Sequence, residues 1–198
     1  MFIEPTDEAT APEPVAEYFA TQRALWGFLP NYAQCFAARP DVASAWANLN
    51  GAIRGGMDRR RYEIATIAAA RQRGSTYCTI AHASFLRDAC GDDAAVRAIA
   101  MDPTGSLLDD TDRLIYRFAG KVAADPASVT QQDVDDLRAV GLGDDDIANI
   151  VYAVAARLFF ASVLDGLGAQ LDPETAGSFD EDVRNALIVG RPVGDARS

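Results

Sequence analysis

Residues 59–88 read "RRRYEIATIAAARQRGSTYCTIAHASFLRD", and they specify two helices joined at one corner. Asp58 stands where a side chain would cap the first helix, Ile64, Ile67 and Ala68 supply its buried stripe, and Gly74 ends it. Ser75 can cap the second, "TYCTIAHASFLRDAC", which stops at Gly91. Cys78 and the only histidine of the chain, His82, lie four residues apart on it. Four residues advance about 400°, so the two side chains share a face one turn apart and can exchange a proton directly or through one water. Cys78 falls at about the third helical position, where unpaired amides and the helix dipole favour a thiolate. The plainer alternative is a small core cysteine beside a satisfied interior histidine.

Glu63 bears on that choice. It borders the buried stripe of the first helix next to Ile67. A carboxylate at a core margin needs a partner, and its pKa rises without one. Arg59 or Arg60 on the same helix would be the simplest partner, as a surface pair of small energetic weight.

The order Glu63, Ser75, Cys78, His82 resembles the carboxymuconolactone decarboxylase and alkylhydroperoxidase-D superfamily. Its redox branch carries a glutamate, a Cys-x-x-Cys beginning twelve residues later, and a histidine four residues after the second cysteine. The flanking stretches "LPNYAQCFAARPDVASAWANLNGAIRGGMDRR" and "GDDDIANIVYAVAARLFFASVLDGLG" are similar to its peroxidase-related members, so the resemblance spans roughly 28–168. It implies an all-α, AhpD-like helical bundle, assembled as trimers or as hexamers. It also implies a thiol-dependent peroxidase in which glutamate and histidine relay protons. Ser75 occupies the place of the first cysteine, so a cycle through that disulfide cannot run here.

The expected function is therefore a peroxidase-like oxidoreductase with one catalytic cysteine. Cys78 would attack the peroxide, His82 would hold it as a thiolate, and Glu63 would orient the relay or protonate the leaving oxygen. Ser75 would pass a proton or serve only as a cap. An external thiol, either a small molecule or a thioredoxin-like protein, would complete the cycle. Two other readings keep the fold. In a decarboxylase-like lyase, Glu63 and His82 would do acid–base work on a small cyclic or carboxylated substrate. In a vestigial homologue nothing would turn over. No cofactor and no metal are required; a zinc site on Glu63, Cys78 and His82 is the lesser alternative.

The rest of the chain reads as helix nearly throughout, in a single domain over 1–198 with a core of about 28–170 and a C-terminal extension over 171–198. Val15, Tyr18, Phe19, Leu25 and Trp26 keep mostly three- and four-residue spacings, and "NYAQCFAARP" is a short helical piece. Asp41 is a candidate cap for the helix that closes on Gly55 and Gly56. Thr130 with Asp133 marks another start, and the carboxylates of "GDDD" at 143–146 suit the start of the last long helix better than a metal. That last helix is apolar on most faces and reads as the central buried one. Trp26, Tyr32, Phe36 and Trp46 read as core or interface residues, with one or two lining a pocket. "NALIVG" at 185–190 is the only strand candidate, and the tail either lies on its own or a neighbouring subunit or is unpacked.

Composition narrows the partners. At a net charge of −11 and a pI near 4.4, the chain lacks the basic stripe of a nucleic-acid binder and is not suited to an anionic membrane surface. No apolar run is expected to reach the 18 or so residues of a membrane span, and "MFIEPTDEATAPEP" has acids and prolines where a signal peptide is basic and apolar. The expected compartment is the cytoplasm, where Cys35, Cys78 and Cys90 would rest as thiols. Cys35 and Cys90 read as packing residues.

Overall fold

A computed structural model describes residues 1–195, and among these there is no β-strand. Ten α-helices follow one another: α1 Glu13–Trp26, α2 Pro40–Gly55, α3 Arg59–Arg73, α4 Thr76–Asp88, α5 Asp93–Met101, α6 Asp110–Ala124, α7 Gln131–Ala139, α8 Asp144–Leu167, α9 Pro173–Ala176 and α10 Glu181–Leu187. Short 3-10 turns cover Asn31–Phe36 and Pro126–Ser128.

The centre of the bundle is α3. Its residues from Tyr62 to Ala70 are all buried, and α4, α6 and α8 pack around it. Four of those nine are alanines, which let three neighbouring helices approach its axis closely. The expectation that the last long helix is the central one is corrected here: α8 lies against α3 on one side and exposes Tyr152 and Phe159 on the other. Its 24 residues have the length of a membrane span, with a window of mean hydropathy 1.9, half of which is buried inside the fold. A span-length apolar helix is therefore present, contrary to the sequence expectation.

The corner between α3 and α4 is fixed by the backbone. Gly74 sits at φ 74°, in the left-handed region. Its N–H donates to the Arg71 carbonyl and that of Ser75 to the Ala70 carbonyl, at 3.0 and 2.9 Å. The two bonds form the double-bonded glycine stop that turns the chain sharply. Glu63 lies roughly three turns before this corner and His82 roughly two turns after it, so antiparallel packing brings them level.

Local signals fare unevenly. Asp58 does cap α3 through Arg61 N, and Thr130 and Asp133 form a reciprocal capping box. Asp41 does not cap α2: Pro40 opens that helix one residue earlier, leaving Asp41 in the first turn beside Arg39. Leu25 is not in the core but 71% exposed, because α1 turns that face outward. "NALIVG" is not a strand, since residues through Leu187 close α10.

The tail packs on its own chain. Helices α9 and α10 lie on α4 and α5, and residues 188–194 run back over the corner as a strap. Val189 N and Gly190 N donate to Thr76 Oγ1 at 3.2 and 2.9 Å. Gly190 passes so close to Gly74 that a Cβ there would lie 1.8 Å from the Gly74 carbonyl oxygen.

Candidate active site

A cavity of about 290 Å³ opens between α1, α2, α3, α4 and α8. Its floor holds Glu63, Cys78, His82 and Arg157, all nearly inaccessible to solvent, and its rim holds the exposed Leu25 and Arg54. Trp26, Tyr32, Trp46, Tyr62, Phe85 and Phe160 are among its walls. Trp26, Tyr32 and Trp46 thus line the pocket, while Phe36 packs behind Phe160 at 5.5 Å between ring centres.

Glu63 is more than a margin residue: it is completely buried between two donors. Oε1 accepts from Arg59 Nε and Oε2 from His82 Nδ1, both at 2.5 Å. Burial pushes the Glu63 carboxyl up, but His82 and Arg59 outweigh it and hold it below its usual range. Burial pulls His82 down to about 4, with the charge of Arg157 acting in the same direction against Glu63. At neutral pH the pair is accordingly a carboxylate and a neutral imidazole. The carboxylate selects the tautomer with hydrogen on Nδ1 and leaves Nε2 as the basic nitrogen. Edge contacts with Tyr62 and Phe85, at 6.0 and 5.5 Å, hold the ring in place.

Cys78 is not hydrogen-bonded to His82. Its Sγ instead lies 3.7 Å from Nη1 of Arg157. Arg157 is 3% exposed, stands 5.6 and 5.4 Å from the Trp46 and Phe160 rings, and forms no ion pair with a carboxylate among the described residues. A buried guanidinium without a carboxylate is costly, and the Cys78 sulfur is a polar atom set against it. Sequence reasoning missed this residue, although a signal existed: Arg157 is the only charged residue between Asp146 and Asp165 in α8.

Ser75 is fully buried, but it does not line the cavity, and its Oγ has no hydrogen-bond partner. It holds the N-cap position of α4 without capping it through its side chain. Cys78 is the third residue of α4, as its spacing implied. The other two cysteines stand apart from the cavity lining. Burial pushes the Cys35 thiol up to about 11, and burial together with the Glu63 charge raises that of Cys90. Asp172, from the start of the C-terminal extension, closes one wall by accepting from Tyr77 Oη at 2.5 Å and from Asn31 N at 2.8 Å.

Residues 40–104 match the carboxymuconolactone decarboxylase family. A search of curated protein sequences returns no match. Among solved structures, the chain is similar to an uncharacterized peroxidase-related protein with an alkylhydroperoxidase AhpD core from Ralstonia eutropha JMP134. That match has 22% identity and a TM-score of 0.77, over 88% of this chain and 93% of that one. A peroxidase-related protein from Silicibacter sp. TM1040 matches at 20% identity and TM-score 0.75, over 88% and 92%. A cysteine-to-alanine variant of the debrominase Bmp8, in complex with 2,3,4-tribromopyrrole, matches at 18% and TM-score 0.73, over 92% and 97%. The match to the carboxymuconolactone decarboxylase family contains Glu63, Cys78 and His82, and the AhpD-like fold is shared over nearly the whole length of the chain.

Proposed function

We propose that the protein is a thiol-dependent peroxidase with a single catalytic cysteine, Cys78. The observation that carries this reading is the contact between Cys78 Sγ and the carboxylate-free, buried Arg157, on the same cavity floor as the His82–Glu63 pair. The thiol proton passes to His82 Nε2 through the bound hydroperoxide, and Arg157 holds the thiolate. The thiolate attacks the outer oxygen of ROOH, so that an S–O bond forms as the O–O bond breaks, giving Cys78 sulfenic acid and RO⁻. His82 returns the proton to RO⁻, and ROH leaves. Its low proton affinity favours that return. Glu63 keeps the ring oriented and shares the transient charge. An external thiol then restores Cys78, and Ser75 takes no part in the sequence.

The test is stoichiometric hydroperoxide with mass detection of sulfenic acid. The reading expects one added oxygen at Cys78 and none in Cys78→Ser; a wild-type protein left unoxidised at Cys78 refutes it.

A second reading uses the same groups for reductive dehalogenation, and the ring-lined walls of the cavity favour it. Here the thiolate attacks the halogen of a halogenated aromatic ring. The ring carbon leaves with the bonding electrons and takes the proton from His82. Two external thiols then release halide and a disulfide. Bromide release from 2,3,4-tribromopyrrole, in place of hydroperoxide consumption, would select it.

A further inference from the structure

We infer that the thiol that regenerates Cys78 is a small, negatively charged molecule entering the cavity, not a protein; this rests on the one-cysteine reading above. Three observations carry it.

Depth comes first. Cys78 is 1% exposed at the floor, beneath Trp26 and Leu25 of α1. A disulfide requires the two α-carbons to stand about 4.4–6.8 Å apart. A protein thiol would therefore have to bring its own backbone down to the floor of a space of about 290 Å³. A free thiol brings only itself.

The second is closure on the other side. The N-terminal end of α4, two residues before Cys78, is covered by the strap. Val189 and Gly190 hydrogen-bond to Thr76, Gly190 is seated against Gly74, and Ser75 and Thr76 are 0% and 1% exposed.

The third is charge. The chain carries −11 overall, yet the ionised side chains of the cavity lining are three arginines, Arg54, Arg59 and Arg157, against Glu63 and Asp172. Both carboxylates are buried and hydrogen-bonded, whereas Arg54 is exposed at the rim and forms no ion pair among the described residues. A mouth of positive potential in an acidic protein selects anionic entrants and repels cationic ones.

The chemistry balances with this thiol alone. One R′SH condenses with Cys78 sulfenic acid, expelling water and leaving Cys78–S–S–R′. A second R′SH attacks the R′ sulfur, releasing R′SSR′ and the Cys78 thiol.

The experiment uses disulfide probes on the reduced full-length protein, with Cys78 identified by peptide mass, so that it needs no peroxide. With each rate divided by that of the same probe on a free small thiol, which cancels the leaving-group difference, dianionic 5,5′-dithiobis(2-nitrobenzoate) is expected to modify Cys78 at least tenfold faster than dicationic cystamine. Arg54→Glu should cut that preference by about tenfold. The resulting Cys78–thionitrobenzoate adduct is then challenged with N-acetylcysteine or with reduced thioredoxin at equal thiol concentration. N-acetylcysteine should release the chromophore at least tenfold faster, reversing the order that thioredoxin's low-pKa thiol gives on open disulfides. Release by thioredoxin at an equal or higher rate, equal reactivity toward cystamine, or no modification of Cys78 overturns the inference. A failed peroxide oxidation alongside the expected probe order overturns only the peroxidase reading.

Discussion

Two stretches of α4 less than a turn apart meet opposite surroundings. At its start, Ser75 and Thr76 are shut under the strap and face backbone. From Cys78 to His82, the same helix faces a cavity with a buried cation, a carboxylate and aromatic walls. The position where the redox branch carries a first cysteine is thus covered by the strap, while Cys78, itself buried, borders the cavity beside Arg157. The helix itself is regular through both; packing separates them.

The largest effect should come from removing the prepared sulfur. Cys78→Ser is expected to lower hydroperoxide turnover by about 10³-fold or more, while Cys35→Ala and Cys90→Ser leave it within about twofold. Steady-state consumption assays on the three variants check this.

Next is Arg157→Met, which removes the compensating charge and keeps the volume. Alkylation of Cys78 by iodoacetamide at pH 7 should slow about 100-fold. The melting temperature should stay level or rise, because a buried cation without a carboxylate partner is removed. A marked fall in melting temperature would make Arg157 a structural residue and end the contrast between the two stretches.

His82 gives a pH signature of folding. Its proton affinity is lower in the folded protein, at about 4, than the ordinary 6.5, so the unfolded chain takes up the proton first as the pH drops. Stability should therefore be fully present above pH 6.5 and decline between about 6.5 and 4, by up to about 3 kcal/mol. Glu63, held below its usual range, adds a loss of the same sign only at lower pH. No other histidine exists to blur that window, so urea unfolding at stepped pH should lose this slope in His82→Gln.

The smallest expected effect tests the closed stretch. In a Cys78→Ser background, a cysteine introduced by Ser75→Cys should be labelled slowly by maleimide. Adding Gly190→Ala, whose Cβ collides with Gly74, should speed labelling about tenfold and cost roughly 1–3 kcal/mol. Equal labelling with and without Gly190→Ala would show that the strap is not what closes this end.

What the sequence disclosed follows the range of the forces involved. Asp58, Gly74 and the Thr130–Asp133 box act within four residues, so their helix ends were legible. Glu63 and His82 were legible because a 19-residue separation across one corner keeps a fixed geometry. Arg157 was not, since 79 residues and a different helix separate it from Cys78. The exposure of Leu25 and the loss of a capping role for Ser75 were hidden for a related reason. Periodicity marks an apolar face but not which neighbour covers it, and a capping residue type does not fix its rotamer.

The two tryptophans of the chain, Trp26 and Trp46, both border this cavity, one partly exposed at its rim and the other beneath Arg157. The protein's ultraviolet emission is therefore a built-in reporter of this cavity. Oxidation of Cys78 or loss of the guanidinium in Arg157→Met is expected to change the light the molecule gives out. Any molecule that reaches the cavity floor is expected to leave its mark on that emission, without a dye or a coupled enzyme.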